Sequence, residues 1–282
     1  MRLRGPGSRN VEDRRGTRFS RVGGVGIGGV VLALLALYLG QDPGVVLDSL
    51  QNQGAVQQQQ VPYQESEDEA HVREFIAKVL ADTEVTWGEI FAAAGRTYEE
   101  PKLVLFSGEV QSACGFAQAA VGPFYCPADR KVYIDLSFYD ELRNRFGAPG
   151  DSAQAYVVAH EIGHHVQTLL GISERNAAAR RQANQVQANA LSVKQELQAD
   201  CFAGIWAHNA DASRQVLEDG DVEEGLNAAS AIGDDRLQRQ SRGYVSPETF
   251  THGSSAQRVR WFRRGLEQGT LSACDTFAAN DL

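Results

Sequence analysis

Residues 155–170 read AYVVAHEIGHHVQTLL, and this stretch decides the fold because it places ionisable side chains inside an apolar helix. His160 and His164 are four residues apart, so on a helix both imidazoles lie on one face and can bind one metal ion. Glu161 lies beside them, where it can take a proton from water that the metal activates. Gly163 is a poor helix former and predicts the close approach of another helix. The pattern indicates a zinc hydrolase.

A catalytic zinc ion takes three protein ligands and keeps one position open, so a third ligand is expected downstream. Residues 196–206 read ELQADCFAGIW and predict an interior helix on which Glu196 and Asp200 share a face. Carboxylates in such a helix need a cation. We predict Glu196 as the third ligand. Asp200 is expected to accept a hydrogen bond from the second ring nitrogen of a ligand histidine.

Two more side chains are candidates for supporting roles. His165 follows His164 and points about 100° away from it on a helix, so it is expected behind the ligands or at the surface. His252 precedes a predicted helix start, and a histidine or arginine there can stabilise the oxyanion of a tetrahedral intermediate. A purely structural histidine is an equal alternative for His252.

Hydrophobic periodicity predicts an α+β domain with a small early β-sheet and a mostly helical body. Helix 151–170 is expected to be capped by Asp151 or Ser152. The other expected helices cover residues 69–81, 85–94, 137–146, 174–208, 213–240 and a last one from Ser254 or Ser255 to about Gly269. The expected strands cover residues 102–106, 112–121 and 130–136.

The N-terminal region differs from the body in charge and hydropathy. Residues 1–21 hold seven arginines and two acidic residues, and residues 22–39 follow without any charge. The apolar run predicts a transmembrane helix after a disordered, basic cytoplasmic tail. Residues 40–68 are polar and predict a disordered linker. The positive-inside rule then predicts a single-pass protein of the cell membrane, with the metallopeptidase domain of residues 69–282 extracytoplasmic.

The apolar run of residues 22–39 has two alternative interpretations besides a membrane anchor. A cleaved signal peptide would end in a small-x-small site, whereas the run ends in Tyr38-Leu39-Gly40-Gln41. A buried helix of a soluble protein would not explain the arginine-rich flank. The net charge of −9 argues against a nucleic-acid partner.

Four cysteines follow the apolar run, and an even number fits an oxidising compartment. Four cysteines allow three pairings. Our first expectation is Cys114 with Cys126 across a turn at Gly122-Pro123, and then Cys201 with Cys274. Four buried free thiols are the alternative.

Three motifs in this order resemble the putative neutral zinc metallopeptidase family of bacteria: HEIGHHVQ at 160–167, ELQADCFAGIW at 196–206 and THGSSAQR at 251–258. The start NVEDRR at 10–15 is also similar. The resemblance implies a zincin fold with His160, His164 and Glu196 on zinc and Glu161 as general base. It also resembles membrane-linked peptidases in which Thr-His-Pro precedes an arginine. Here His252 and Arg258 keep that spacing, but Gly253 replaces the proline.

These observations predict a zinc-dependent peptidase that hydrolyses peptide bonds with water activated by zinc and Glu161. The substrate, a peptide or protein, is expected to lie along an edge strand within residues 112–121. Two alternatives stay open. One is a zinc-containing scaffold or binding protein that does not cleave. The other is a zinc hydrolase of a non-peptide amide, such as a cell-wall bond.

Overall fold

The computed structural model describes residues 1–21, 56–60, 62–118, 122–279 and 281–282. The chain divides into two units, one of Met1–Asp13 with Glu65–Leu282 and one of Arg14–Gln64. In the smaller unit, strand β2 (Thr17–Arg21) pairs antiparallel with strand β3 (Val56–Gln60).

The larger unit holds a small sheet and a helical body. Its strands are β1 (Val11–Asp13), β4 (Lys102–Phe106), β5 (Glu109–Ser112), β6 (Gly115–Gln118), β7 (Phe124–Cys126) and β8 (Lys131–Asp135). Its α-helices are α1 (Glu67–Ala93), α2 (Ser137–Asn144), α3 (Asp151–Leu169), α4 (Ile172–Gln182), α5 (Gln185–Arg214), α6 (Asp221–Ala231), α7 (Asp234–Arg242) and α8 (Ser255–Gln268). Short 3-10 turns cover Pro247–Thr249 and Leu271–Cys274.

The main sheet has the strand order β1-β4-β8-β7. Strands β1, β4 and β8 run parallel, and β7 pairs antiparallel with β8 at one edge. Strands β5 and β6 form a separate hairpin. Leu103, Leu105, Val132 and Ile134 of the two central strands are fully buried. The sheet thereby closes one side of the hydrophobic core that the helices build.

Helix α3 runs through the core, and most of its side chains are buried. It packs against α5 so closely that a Cβ atom at Gly163 would lie 2.8 Å from the backbone oxygen of Ala199. Helix α8 approaches α5 from another side, where a Cβ atom at Gly265 would lie 1.9 Å from the oxygen of Cys201. Glycine at these positions lets three helices meet at one place. The close approach predicted at Gly163 is confirmed.

The mixed α+β class with a small sheet is confirmed, and several elements match the sequence predictions within a few residues. These are the strands predicted at 102–106 and 130–136 and the helices predicted at 137–146, 151–170 and 254–269. Helix α8 begins at Ser255, one of the two expected starts, and Ser254 caps it through a capping box with Gln257. The predicted cap of α3 is wrong, because Gly150 is the N-cap residue and no side chain caps this helix.

Other expectations need correction. The helices predicted at 69–81 and 85–94 are one helix, α1, because no glycine or proline interrupts the chain between them. The strand predicted at 112–121 is matched in part by β6, which covers Gly115–Gln118 and is separated from β5 by a turn after Ser112. Residues 119–121 lie outside the described residues. The long helical region predicted at 213–240 is two helices, α6 and α7.

The disorder predicted for residues 1–21 is wrong, because Val11–Asp13 joins the main sheet and residues up to Asp13 belong to the larger unit. The linker predicted at 40–68 contains strand β3, and α1 begins at Glu67 rather than Glu69. The predicted transmembrane helix at 22–39 lies outside the described residues. Among the residues that the structure does describe, no helix is both long and apolar enough to span a bilayer.

Two disulfides join Cys114 to Cys126 and Cys201 to Cys274, which confirms the expected pairing. The first links the β5–β6 hairpin to the edge strand β7. The second links α5 to the 3-10 turn Leu271–Cys274, and both of its cysteines are fully buried.

Candidate metal centre

Helices α3 and α5 bring the three predicted zinc ligands together. The Nε2 atoms of His160 and His164 lie 3.2 Å and 3.4 Å from Oε2 of Glu196. One ligand atom from each of the three residues lies within 4.8 Å of the others. The i, i+4 spacing on α3 aligns the imidazoles, and the contact at Gly163 brings the carboxylate of α5 within reach.

These distances fit a tetrahedral zinc ion. Zinc binds histidine nitrogen and carboxylate oxygen at about 2.0–2.2 Å, which places two ligand atoms of a tetrahedron about 3.3–3.5 Å apart. The two nitrogen–oxygen distances are 3.2 Å and 3.4 Å. Both distances from the Glu196 carboxylate to the imidazoles therefore fit one bound zinc ion.

The second nitrogen of His160 is held by a buried ionic network. Nδ1 of His160 lies 2.8 Å from Oδ1 of Asp200. Arg258 donates two hydrogen bonds of 2.9 Å to the same carboxylate, and the hydroxyl of Tyr156 donates to it as well. Asp200 is fully buried and Arg258 is 2% exposed. Because carboxylate oxygens only accept, His160 donates from Nδ1, and Nε2 faces the ligand position.

His164 is oriented by a residue that the sequence analysis missed. Its Nδ1 lies 2.9 Å from Oε1 of Gln167, one turn further along α3. The amide nitrogen of Gln167 donates to the backbone oxygen of Gln195 and to Oε1 of Gln198. Since the amide nitrogen is used for donation, its oxygen accepts from Nδ1. The signal in the sequence was a glutamine on the same face of an interior helix.

His165 lies behind the ligands and is fully buried. Its Nε2 donates to the backbone oxygen of Glu99 at 2.6 Å, so its Nδ1 accepts from the hydroxyl of Tyr125 at 3.1 Å. Burial lowers the pKa of His165 to about 4, and the imidazole is neutral. His165 therefore ties the metal-binding helix to the edge strand β7.

The electrostatics of the centre follow from the burial and pairing of its side chains. Burial opposes ionisation of Glu196, but the nearby His164 and hydrogen bonds from both imidazoles hold its pKa well below the ordinary value. Burial also opposes ionisation of Asp200, and Arg258 and His160 outweigh it and lower the pKa to about 2. Ionised carboxylates at both positions suit a cation between the imidazoles. Metal binding there is expected to displace protons from the imidazoles.

Glu161 lies on the cleft side of α3 and is 7% exposed. Burial raises the pKa of this carboxyl above its ordinary value. A carboxylate with a raised pKa takes up a proton more readily near neutral pH, which suits a general base. The structure thus places Glu161 beside the two ligand imidazoles.

A cleft of about 700 Å³ opens over the three ligands. Its walls come from α2, α7, the edge strand β7 and the loop before α8. Apolar side chains form much of the lining: Phe124, Tyr125, Phe138, Phe146, Val157, Ile232 and Leu237. The volume is within the range of sites for small molecules or short peptide segments.

His252 lies at the rim of this cleft, and its side chain is 53% exposed. Its Nδ1 is 3.0 Å from the hydroxyl of Thr251 and 3.4 Å from Oδ1 of Asp234. The other oxygen of Asp234 accepts hydrogen bonds from the backbone nitrogens of Thr251, His252 and Gly253. Asp234 was missed by the sequence analysis, and it fixes the loop that carries His252.

A second carboxylate group lies at the start of α3, where Asp151, Asp221 and Glu224 offer oxygens within 4.8 Å of one another. These oxygens already have donors in the protein. The amino group of Met1 lies 2.7 Å from Asp151, and the backbone nitrogen of Ser152 donates to Glu224 at 3.3 Å. This group resembles a metal site only in its distances.

A helix with two imidazoles one turn apart, a glutamate between them and a third carboxylate from a neighbouring helix defines the class of zinc metallopeptidases. The chain belongs to the family described as "Putative neutral zinc metallopeptidase", whose model matches residues 1–277. Zinc is therefore the cofactor of its family.

The chain is similar to proteins of Escherichia coli and Mycobacterium tuberculosis. It is 50% identical over 277 residues to "Uncharacterized protein YpfJ" of Escherichia coli strain K12, with 96% of each chain covered. It is 47% identical over 195 residues to "Uncharacterized protein Rv2575" of Mycobacterium tuberculosis strain H37Rv, with 66% of this chain and 65% of that protein covered. No solved structure matches the chain.

Proposed function

We propose that this protein is a zinc-dependent peptidase that hydrolyses peptide bonds. The observation that carries the proposal is the pair of Nε2–Oε2 distances, 3.2 Å and 3.4 Å, among His160, His164 and Glu196. Distances of this size are those expected around one tetrahedral zinc ion. The family membership supports a zinc peptidase at the level of the family.

In this proposal each residue of the centre has one role. His160, His164 and Glu196 hold zinc, and Asp200 and Gln167 keep the imidazoles oriented through Nδ1. Zinc bound there supplies Lewis acidity, which polarises a carbonyl and makes hydroxide available near neutral pH. Glu161 takes the proton of the attacking water and passes it to the leaving amine.

His252 is the proposed donor to the oxyanion of the tetrahedral intermediate. Its Nδ1 is engaged by Thr251 and Asp234, and the described residues give Nε2 no partner. Arg258 has a different role from His252, because its guanidinium is buried and bonded to Asp200 and Tyr156. Arg258 therefore positions His160 through Asp200.

The substrate is proposed to be a peptide or protein segment that extends the main sheet. Strand β7 lies last in the strand order and contributes Phe124 and Tyr125 to the cleft. A peptide can add to such an edge by backbone hydrogen bonds. We therefore propose β7 as the edge that binds substrate, in place of the expected residues 112–121. The apolar lining favours substrates with large apolar side chains near the cleaved bond.

The full-length protein with zinc should be tested against a peptide library and against cell-wall fragments, with Glu161→Gln as the matched control. We expect peptide cleavage by the parent. The variant should keep zinc and lose about 10²–10⁴-fold in rate, because it lacks the base. Cleavage of cell-wall amides alone would move the function to that class. Equal peptide cleavage by the parent and Glu161→Gln would contradict the mechanism, and no cleavage of either substrate would favour the scaffold alternative.

A further inference from the structure

A second, smaller cavity beside the cleft is rich in arginine. It has a volume of about 290 Å³ and is formed where the ends of α2 and α6 meet one face of α7. Arg236 and Arg239 are three residues apart on α7 and therefore share a face of that helix. We call this cavity the arginine groove, and the residues that line it are Arg145, Phe146, Ala231, Arg236, Arg239 and Gln240.

The arginine groove is continuous with the cleft over the metal ligands. Arg145, Phe146 and Gln240 line both cavities. None of the three zinc ligands lines the groove. A molecule that lies in the cleft can therefore extend into the groove, and a group that is bound there lies away from the metal.

The protein neutralises these arginines only in part. Arg145 forms an ion pair with Glu141 at 3.2 Å, in which both side chains are exposed. Arg236 donates to the backbone oxygen of Phe146 at 3.5 Å, a long and weak contact. Within the part of the chain that the structure describes, no carboxylate lies within ion-pair distance of Arg236 or Arg239.

The other acidic side chains of α7 have partners elsewhere. Asp235 accepts hydrogen bonds from the backbone nitrogen and the hydroxyl of Ser255, at 2.7 Å and 2.8 Å. Asp234 accepts hydrogen bonds from the loop that carries His252. Three guanidinium groups thus share one carboxylate, that of Glu141, in a chain whose net charge is −9. The groove therefore has an excess of positive charge and of hydrogen-bond donors.

The stacking of Arg145 keeps some of these donors available. Its guanidinium carbon lies 5.1 Å from the centre of the Phe146 ring. Stacking of this kind uses the flat face of the guanidinium and leaves its edges free to donate. The edge of an arginine fits a carboxylate through two parallel hydrogen bonds. Carboxylates are also the anionic groups that an unmodified peptide in the adjoining cleft can supply.

We infer that the arginine groove binds a carboxylate of the substrate, so that the protein selects peptides with an acidic side chain or a free carboxyl terminus at a set distance from the cleaved bond. The inference rests on the proposed peptidase function, because that function places the peptide in the adjoining cleft. Arg236 and Arg239 supply the main contacts to the carboxylate. Arg145 contributes less, since it is shared with Glu141.

Retention of peptides by a non-cleaving protein tests the groove without hydrolysis. The full-length, zinc-loaded Glu161→Gln protein is immobilised and exposed to random peptide libraries, and mass spectrometry identifies the retained peptides. One library is amidated at the carboxyl terminus, so that its carboxylates are all aspartate or glutamate side chains. A second library lacks aspartate and glutamate but has free carboxyl termini. Enrichment of acidic residues in the first, or stronger retention of the second than of its amidated copy, identifies which carboxylate binds.

Removal of two charges from the groove should abolish this preference. In the Glu161→Gln background, Arg236→Gln combined with Arg239→Gln should weaken the binding of a retained peptide about 3–10-fold, as expected for two exposed ion pairs. A copy of the peptide without the carboxylate should bind equally to both proteins. Arg242→Gln is the matched control, because it removes an exposed arginine of α7 that does not line the groove. It should leave the preference unchanged.

The outcomes separate the groove from the proposed function. No carboxylate preference in either library, or the same preference in the double variant, would overturn the inference. A carboxylate preference that the double variant loses, in a protein whose parent cleaves no peptide, would support the groove and contradict the peptidase. Cleavage by the parent without any carboxylate preference would support the peptidase and overturn the inference about the groove.

Discussion

Two clusters of candidate metal ligands include residues of helix α3, one at its N-terminus and one from its middle onward, and the two clusters differ in what surrounds them. His160, His164 and Glu196 lie under a cleft, with Asp200 and Gln167 behind the imidazoles. The other cluster, of Asp151, Asp221 and Glu224, consists of carboxylates that already accept hydrogen bonds from an amino group and from backbone nitrogens. Short distances occur in both. Only the first cluster has oriented donor atoms that point at one open position.

Removing one carboxylate from each cluster tests which of the two clusters binds zinc. Glu196→Ala should lose zinc and all metal-dependent cleavage, because only two protein ligands remain. Glu224→Ala should keep about one zinc ion per chain. Elemental analysis of both purified full-length variants, beside the parent, measures the difference. Zinc kept in Glu196→Ala, or lost in Glu224→Ala, would contradict the assignment of zinc to His160, His164 and Glu196.

The buried network behind His160 provides the next test. Asp200→Asn removes the charge that pairs with Arg258, whose guanidinium is buried. An uncompensated buried charge costs about 3–5 kcal/mol, so the variant should unfold at clearly lower denaturant concentration than the parent. Measurement with chelator present separates this loss from the loss of metal. A matched variant, Asp221→Asn at the other cluster, should lose less, and equal losses would contradict the special role of Asp200.

A milder change sharpens the role of orientation. Gln167→Ala leaves all three ligands in place and removes the acceptor for Nδ1 of His164. Loss of such an orienting partner typically weakens metal binding about 10–100-fold. Competition with a chromophoric zinc chelator would measure the affinity. Unchanged affinity in Gln167→Ala would mean that packing alone orients His164.

The smallest expected effect concerns the pair of Asp234 and His252. One oxygen of Asp234 accepts hydrogen bonds from three backbone nitrogens, as in the second cluster, and the other lies 3.4 Å from a histidine nitrogen, as in the first. The hydrogen bond with Asp234 raises the pKa of His252. Burial alone would raise the pKa of the Asp234 carboxyl, but the contacts with His252 outweigh burial and lower that pKa. Stability from His252 is complete below about pH 6.5 and is lost as the pH rises through its raised pKa. Stability from Asp234 is present above about pH 3.9 and is lost as the pH falls through its lowered pKa.

The pair should therefore stabilise the fold most between these limits. We expect the melting temperature of His252→Ala, with chelator present, to fall below that of the parent by more at pH 5.5 than at pH 9. The difference should be small, because the imidazole is half-exposed and salt screens it. A difference that grows towards pH 9 would contradict the pairing with Asp234.

The sequence predicted those parts of the centre that depend on local periodicity. His160 and His164 had to share a face on any helix, and the apolar neighbours of Glu196 and Asp200 indicated an interior helix. The start of α8 at Ser255 was also a local prediction, and its capping box of Ser254 and Gln257 spans only three residues. Each of these predictions needed only one element to form.

The parts that were missed depend on contacts between distant residues. Strand β1 is three residues long and lies in an arginine-rich stretch, and only its pairing with β4 makes it a strand. Gln167 shares a helix face with His164, but its role depends on the contact with α5, and Asp234 carries no signal until the loop before α8 is placed beside it. Gly150 is the N-cap of α3 and has a φ of 113°, which favours glycine. Side-chain capping preferences favour Asp151 and Ser152 instead, so the sequence prediction missed Gly150.

The disulfide between Cys201 and Cys274 encloses both His252 and Arg258 in a covalent loop that begins one residue after Asp200. Closing a loop with this sequence separation of 73 stabilises the folded state by about 4 kcal/mol in the chain-entropy model. Residues 241–244 within the loop are exposed, and Tyr244 is 62% exposed. A protease that nicks the chain there leaves two fragments joined by sulfur, with every ligand and its support still on one molecule. The disulfide therefore keeps His252 and Arg258 covalently attached to helix α5 after such a cut, for as long as that bond stays oxidised.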